Sequence, residues 1–174
     1  GRVEQAIDTG QALSHMVALD HSRNRAYVTS LVDGNLAVID LQRLQVLTHI
    51  ATGAGAEGVA VHPNGQVWVG NREDGTLSII DPTGLTVTRS VPAGEFPIRI
   101  GFNANASRAL ISDAKGAAVR VFDSTDQTPV GHIDLRGHYR LATGRAFGGW
   151  LGTSPFPIGI LAARGDPDTA YVSL

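Results

Sequence analysis

Arginine and aromatic side chains are concentrated in one stretch of the chain, residues 137–155. It contains Arg140, Arg145 and Trp150, together with a tyrosine, a phenylalanine and a glycine pair. Guanidinium groups bind oxyanions through paired hydrogen bonds, and aromatic rings and guanidinium planes stack on planar groups. The stretch therefore predicts a site for an anionic or planar ligand. Alternatively, its aromatic residues only fold the segment down as a cap, since a long loop needs a small core of its own.

A second set of residues could bind a ligand or transfer protons. His15, Glu57 and Arg99 lie at the starts of predicted strands, and Arg72 and His138 lie in connections. Histidine and glutamate can act as general bases, and arginine can stabilise a developing oxyanion. No serine stands on a recognisable strained turn, so a Ser-His-Asp triad is not predicted.

Metal and cofactor sites are not assigned from this sequence. Only His15 and His138 are expected to meet on one face, whereas typical metal sites use three or four ligands. Residues 53–58 spell G-x-G-x-x-G after a strand, but a dinucleotide site requires a helix to begin there. The next residues alternate in polarity and end at Pro63, which predicts a strand and a turn instead.

Composition excludes several classes of protein. The 174 residues are 43% hydrophobic and carry a net charge of −2, so no global charge favours nucleic acid or an anionic membrane. The absence of cysteine excludes disulfides and thiolate metal sites. No apolar run approaches the ~20 residues that span a bilayer, so no membrane insertion is predicted. No signal peptide is visible, and we expect the chain to be a fragment whose first residues fall within the repeat pattern.

The elements that position these residues repeat along the chain. Tyr27, Trp68 and Leu110 occupy matching places and are 41 and 42 residues apart. A period of about 40 residues, made of four short apolar runs, is typical of a β-propeller blade. Asp33-Gly34 and Asp74-Gly75 join the middle runs and are strong hairpin signals.

The predicted fold is all-β: one strand, three complete four-stranded blades and two further strands, roughly half of a propeller ring. The segments follow the repeat pattern in one domain, 1–174: a blade end at 2–8, blades at 15–51, 58–92 and 98–135, an insertion at 137–155, and a blade start at 157–174. The remaining blades are expected from a missing part of the chain.

Propeller topology places the connections between blades and the hairpins between second and third strands on one face. The innermost strands enter the central channel from that face, the channel mouth. Concave sites of this kind favour ligands. His15, Gly58, Arg99 and Gly159 are predicted to be equivalent there, and the insertion falls on the same face. They are surrounded by the hairpin residues Asp33, Asn71, Arg72, Glu73, Asp74, Asp113 and Lys115.

Residues 26–30 read Ala-Tyr-Val-Thr-Ser and resemble the YVTN family of β-propeller repeats. The Gly-Thr-Leu-Ser-Ile-Ile-Asp segment ending at Asp81, the Gly94-x-x-Pro97 step and the turn ending at Gly65 agree with this resemblance. The resemblance implies a YncE-like or lactonase-like, usually seven-bladed, bacterial propeller that is periplasmic or extracellular. It assigns no catalytic residue.

Three functions follow as hypotheses. The first is a non-enzymatic binding or scaffold propeller for an unknown small-molecule or protein ligand. The second is a lactonase-type hydrolase with His15 or Glu57 as base and Arg99 or Arg145 at the oxyanion. The third, less favoured, is single-stranded nucleic acid stacking on the Arg/aromatic segment.

Overall fold

A computed structural model describes residues 1–138 and 155–174, and it contains three four-stranded antiparallel sheets that we call blades 1 to 3. Blade 1 is formed by β1 (Ser14–Asp20), β2 (Arg25–Ser30), β3 (Asn35–Asp40) and β4 (Gln45–Ala51). Blade 2 is formed by β5 (Ala56–Val61), β6 (Val67–Asn71), β7 (Thr76–Asp81) and β8 (Thr86–Pro92). Blade 3 is formed by β9 (Pro97–Phe102), β10 (Arg108–Asp113), β11 (Ala118–Asp123) and β12 (Thr128–Asp134).

A short 3₁₀ helix (Arg136–His138) follows blade 3, and a two-stranded sheet ends the chain with β13 (Gly159–Ala162) and β14 (Ala170–Ser173). In each blade the strands are hydrogen-bonded in sequence order. The first strands β1, β5, β9 and β13 are neighbours from one sheet to the next. This is the arrangement of propeller blades around an axis, and it confirms the predicted all-β partial propeller.

Two apolar cores lie between successive blades. Tyr27 and Leu36 of blade 1 are fully buried against Val67 and Val69 of blade 2. The second core packs Trp68 of blade 2 against Phe102 and Phe122 of blade 3, with edge-to-face ring centroids 5.6 and 6.5 Å apart. Burial of these side chains is the main force holding the sheets face to face.

Apolar side chains are exposed on the outer faces of the first and last sheets. Val17 and Leu19 of β1 are 59% and 49% exposed, and Leu161 and Tyr171 of the last sheet are 69% and 63% exposed. In a repeat fold each unit buries its face against a neighbour, so these faces have the composition of surfaces that contact a further blade.

Turns at the face opposite the channel mouth are organised by carboxylates. Asp40, Asp81 and Asp123 each accept backbone N–H bonds from the second and third residues after them, at 2.7–3.2 Å. These bonds lower the pKa of all three carboxyl groups. The interpretation of these residues as turn formers is confirmed.

One predicted strand is absent. Residues 2–8, expected to be the outer strand of a preceding blade, lie outside any strand in the structure. A strand requires a partner for its backbone N–H and C=O groups, and none of the described strands pairs with residues 2–8.

The glycine-rich segment at 53–58 leads into a strand and not a helix. Gly55 has a φ of +68°, and Gly58 lies within β5, where an added Cβ would stand 2.8 Å from the carbonyl oxygen of Ile98. The glycines therefore permit a turn and a close approach of two inner strands, which bears out rejection of a dinucleotide site. Within the described ranges no helix is long and apolar enough to cross a membrane.

Candidate functional site

The channel mouth is built from a connection between blades and the hairpin of the blade that follows it. In each blade the first hairpin residue donates its backbone N–H to the connection, at 2.9–3.1 Å. The pairs are Leu31 with Leu13, Arg72 with Gly55, and Ala114 with Phe96. These bonds also show that Leu31, Arg72 and Ala114 are equivalent positions, so the side chains there can be compared directly.

Carboxylates fix the same connections to their hairpins. Asp33 and Asp74 each accept a backbone N–H bond from the connection, at 2.8 and 2.7 Å. A bond from the Ser30 hydroxyl and the bond from the connection lower the pKa of Asp33. These aspartates, predicted to surround a ligand, therefore hold the backbone in place.

Blade 3 uses a different residue for this role. Gly116 stands where the other blades have aspartate, and the fully buried Asp113 takes over. One oxygen of Asp113 accepts backbone N–H bonds from residues 95 and 96 at 3.0 and 2.9 Å, and the other binds Arg120 at 2.7 and 2.9 Å. Asp113 thus positions the backbone of Phe96 at the channel mouth.

The inner strand of each complete blade carries a register shift near the channel mouth, of the kind made by a β-bulge. In blade 2 the shift leaves Glu57 between the pairs Ala56–Asn71 and Gly58–Gly70. Bulges re-aim side chains at the rims of sheets. The shift accounts for the placement of a charged side chain that is 95% buried at the start of an inner strand.

The register corrects one predicted equivalence. Val17 and Val59 pair with the matching residues Val28 and Val69 of their second strands. Counting back along each inner strand, His15 is therefore equivalent to Glu57, and not to Gly58 as predicted. The prediction was wrong by one residue because Val17 and Val28 are 11 residues apart in blade 1, whereas the equivalent Val59 and Val69 are 10 residues apart in blade 2.

Glu57 binds two guanidinium groups. Its Oε2 accepts a bond from Nη1 of Arg72 at 2.9 Å, and its Oε1 accepts one from Nη1 of Arg99 at 2.8 Å. Arg72 belongs to the hairpin of blade 2 and Arg99 to the inner strand of blade 3, so the Glu57–Arg72 pair lies within blade 2 and the Glu57–Arg99 pair crosses the blade junction. The carboxylate is 7% exposed and the guanidinium side chains are 28% and 25% exposed. Low local polarity strengthens the attraction within a partly buried ion pair of this kind. Loss of one partner lowers the stability of the protein because the other charge is left buried and unpaired.

An aromatic ring and a third cation complete the cluster. The Phe96 ring centroid lies 5.2 Å from the guanidinium carbon of Arg72 and 4.2 Å from Nζ of Lys115. Both distances are within the range of cation–π attraction. We call Glu57, Arg72, Phe96, Arg99 and Lys115 the mouth cluster.

The mouth cluster contains three of the predicted ligand-binding residues, Glu57, Arg72 and Arg99. His15 lies on an exposed position of β1, and none of the hydrogen bonds or ion pairs among described residues joins it to the cluster. The side chain of His138 and residues Arg140, Arg145 and Trp150 lie outside the described residues, so their predicted role remains a prediction.

Sequence reasoning missed Phe96. Its connection reads Gly-Glu-Phe-Pro, whereas the matching positions are leucine in blade 1 and glycine in blade 2. The signal available in the sequence was a large aromatic residue at a position that is glycine in blade 2.

The geometry does not favour the lactonase hypothesis. Both oxygens of Glu57 accept charged hydrogen bonds from Arg72 and Arg99, so this carboxylate is engaged in ion pairs. Nη1 of Arg99 is bound to Glu57 and to the carbonyl of Ile98, and no hydrolase of this type is among the relatives reported below.

Comparison with solved structures supports the propeller fold. The chain is similar to a structure of hydrazine synthase from Kuenenia stuttgartiensis, with a TM-score of 0.69 and 16% identity over 90% of this chain and 41% of that one. It is also similar to the dihydro-heme d1 dehydrogenase NirN in complex with DHE, with a TM-score of 0.56 and 19% identity over 63% of this chain and 25% of that one. The chain thus spans less than half of either structure's chain. No curated protein matches the sequence.

The family is shown by a match that covers most of the chain. Residues 2–138, which include all three complete blades, match the cytochrome D1 heme domain. This family consists of eight-bladed β-propellers, whereas the YVTN resemblance implied seven blades. With three blades arranged as in a propeller and a family match along all of them, the chain belongs to the cytochrome D1 heme domain family.

Proposed function

We propose that this chain is a non-enzymatic, ligand-binding part of a β-propeller, and that the mouth cluster is its binding site. One observation carries this proposal: the junction of blades 2 and 3 concentrates charged side chains that the scaffold does not require. Arg72 and Arg99 both bind the buried Glu57, Arg72 also lies 3.8 Å from Glu73, and Lys115 lies against Phe96.

The junction of blades 1 and 2 shows that the scaffold closes without these charges. There the Thr29 hydroxyl donates to the carbonyl of Glu57 at 2.7 Å, and the equivalents of Glu57, Arg72 and Arg99 are His15, Leu31 and Gly58. Charged residues at an equivalent place on a rigid scaffold are more readily explained by a ligand than by folding. An anionic small molecule or an acidic part of a partner protein would bind to the arginine and lysine side chains of this cluster.

The family name raises the question of haem, and the described residues do not fit a haem site. Among residues at the channel ends of the described inner strands, His15 is the one imidazole. Gly58 and Gly159 offer no side-chain ligand, and the space that a Cβ would take there is filled by Ile98 O at 2.8 Å and Ser173 Oγ at 2.7 Å. Nη1 of both arginines is directed to Glu57. We therefore derive no chemistry through haem.

Two finer expectations belong to the same proposal. The Tyr27-Val28-Thr29 segment and its spacing to the later repeats support a YVTN-type repeat within this family. The resemblance to bacterial surface propellers supports export to the periplasm or the cell surface. Residues Arg140, Arg145 and Trp150 remain candidates for a second contact with the ligand.

A triple substitution in the full-length protein tests the proposal. Arg72→Ala and Arg99→Ala are combined with Glu57→Gln so that no buried carboxylate is left alone. We expect thermal-shift screening against anionic, neutral and cationic small molecules to find anionic binders, and the variant to lose them. Arg43→Ala on the opposite face is the control. Binders that stabilise the triple variant as much as the unaltered protein would refute the mouth cluster as the site.

A further inference from the structure

We infer that the ligand of the mouth cluster carries an oxyanion, a carboxylate or a phosphate, bound by the side-on edges of Arg72 and Arg99; this inference rests on the proposed function. A guanidinium group has an end with two terminal nitrogens and a side-on edge formed by Nε and Nη2. Either can bind two oxygens of an oxyanion in parallel.

Glu57 uses the same nitrogen of each arginine. Only Nη1 of Arg72 and Nη1 of Arg99 bind the carboxylate. Nε of Arg72 is buried and has no hydrogen-bond partner, and Nη2 lies no nearer than 3.8 Å to Glu73. Within the described part of the chain no hydrogen bond involves Nε or Nη2 of Arg99. Two donor edges thus remain, one on each side of a single fixed carboxylate.

Glu57 therefore acts as a positioning residue. Flexible arginine side chains lose considerable rotamer freedom when they bind a ligand. Here one buried carboxylate fixes both guanidinium groups before a ligand arrives, so less freedom remains to be lost. A buried donor without a partner, such as Nε of Arg72, also has an unmet hydrogen bond that an oxyanion would satisfy.

Charge and shape both favour an oxyanion on an organic group. The two arginines and Lys115 present positive charge beside the donor edges, and a ligand with negative charge is attracted to them. Phe96 places an apolar ring beside Arg72 and Lys115. A ligand with an apolar group next to its oxyanion would contact that ring as well as the donor edges.

Three matched probes test this inference by isothermal titration of the full-length protein. Benzoate and phenyl phosphate share a ring and differ in the oxyanion, and benzamide is a neutral mimic of benzoate. We expect one of the two anions to bind, with the tighter one identifying the oxyanion. Benzamide should bind more weakly, by about tenfold or more, because hydrogen bonds to a charged group are stronger than those to a neutral one.

Lysine substitutions separate the effect of the paired donors on binding from the effect of positive charge alone. Arg72→Lys and Arg99→Lys keep the charge but remove the planar pair of donors. We expect each to weaken anion binding by about tenfold or more, while Arg43→Lys on the opposite face leaves it unchanged. A Glu57→Gln variant should also bind more weakly, with a less favourable binding entropy because both guanidinium groups become mobile.

The outcomes distinguish this inference from the proposed function. Anion binding that survives both lysine substitutions but is lost in the triple variant refutes the paired-donor geometry and leaves the mouth cluster as the binding site. Equal affinity for benzamide and benzoate, or no binding of any of the three probes, also refutes the oxyanion. Screening hits that persist in the triple variant refute the proposed function itself.

Discussion

The two junctions between complete blades have the same backbone design but different side chains at the channel. At the junction of blades 1 and 2, the Thr29 hydroxyl bonds to the backbone of the next inner strand at 2.7 Å. At the junction of blades 2 and 3, Gly70 stands at the place of Thr29, an added Cβ there would lie 3.1 Å from Pro97 O, and the charged mouth cluster lies above it. The neutral junction shows what the scaffold needs, and the charged junction shows what has been added to it.

The comparison separates stability from binding. Both junctions bury a large aromatic residue at the same position, Tyr27 in one and Trp68 in the other. The stabilising apolar burial is therefore common to both junctions, while the charged mouth cluster is confined to the junction of blades 2 and 3. Substitutions in the shared interior should change stability, and substitutions in the mouth cluster should change binding.

The largest expected effect tests the shared interior. Trp68→Ala removes a fully buried ring that contacts Phe102 and Phe122, and we expect a loss of about 3–5 kcal/mol in the free energy of unfolding. Tyr27→Ala should cost a similar amount at the other junction. Denaturant unfolding of the full-length protein measures both. A loss below about 1 kcal/mol for either variant would show that the interiors do not contribute equally.

The next effect tests the neutral junction. Thr29→Val keeps the shape of the side chain but removes the hydroxyl that binds Glu57 O and Met16 N, leaving buried backbone groups unpaired. We expect a loss of about 1–3 kcal/mol in the free energy of unfolding. Thr29→Ser, which keeps the hydroxyl, is the control, and Thr29→Val should leave anion binding unchanged. If Val and Ser variants unfold at the same denaturant concentration, the hydroxyl does not secure this junction.

A smaller effect concerns the hairpin of the charged junction. Ala117 has a φ of +50° at the position where the other blades have Gly34 and Gly75. An L-residue in the left-handed region costs roughly 1–2 kcal/mol of backbone strain. Glycine removes this strain, but part of the gain is lost because glycine has more conformational freedom in the unfolded chain. Ala117→Gly should therefore raise the free energy of unfolding by about 0.5–1 kcal/mol.

The reverse change in blade 2 provides the contrast. Gly75→Ala should destabilise the protein, because its Cβ would lie 2.5 Å from Gly94 O. An Ala117→Gly variant that unfolds more easily than the unaltered protein would indicate that the Ala117 methyl group contributes packing that outweighs its backbone strain.

The smallest effect is the dependence of stability on pH. Hydrogen bonds from Arg136 lower the pKa of Asp134 from 3.8 to about 2. A carboxyl group whose pKa falls on folding stabilises the protein above its unfolded pKa, and this contribution disappears as the pH falls through the folded value. Asp134→Asn should therefore lower stability at pH 6, and the difference from the unaltered protein should shrink between about pH 4 and pH 2. Glu4→Gln, at an exposed terminal residue, should show no such trend.

Much of the fold was predictable because its signals are local. Alternating polarity defines each strand, Asp-Gly pairs mark hairpins, and a spacing of 41 and 42 residues between Tyr27, Trp68 and Leu110 indicates blades. Topology alone also placed Glu57, Arg72 and Arg99 on one face. Residues 2–8 show the limit of this local prediction. They have the pattern of a strand, but a strand also requires a pairing partner, and none of the described strands pairs with them.

The sequence by itself determined which segments are strands, which turns join them and on which face of the propeller each loop lies, since these depend on neighbours within a few residues. Only the tertiary structure decided that Glu57 meets Arg99, 42 residues away in the next blade, and that Phe96 lies beside Arg72 and Lys115. The register shift in β5 re-aims one carboxylate, and the packing of two sheets sets which side chains it reaches. Neither follows from local pattern, because both depend on contacts between segments that are distant in the chain.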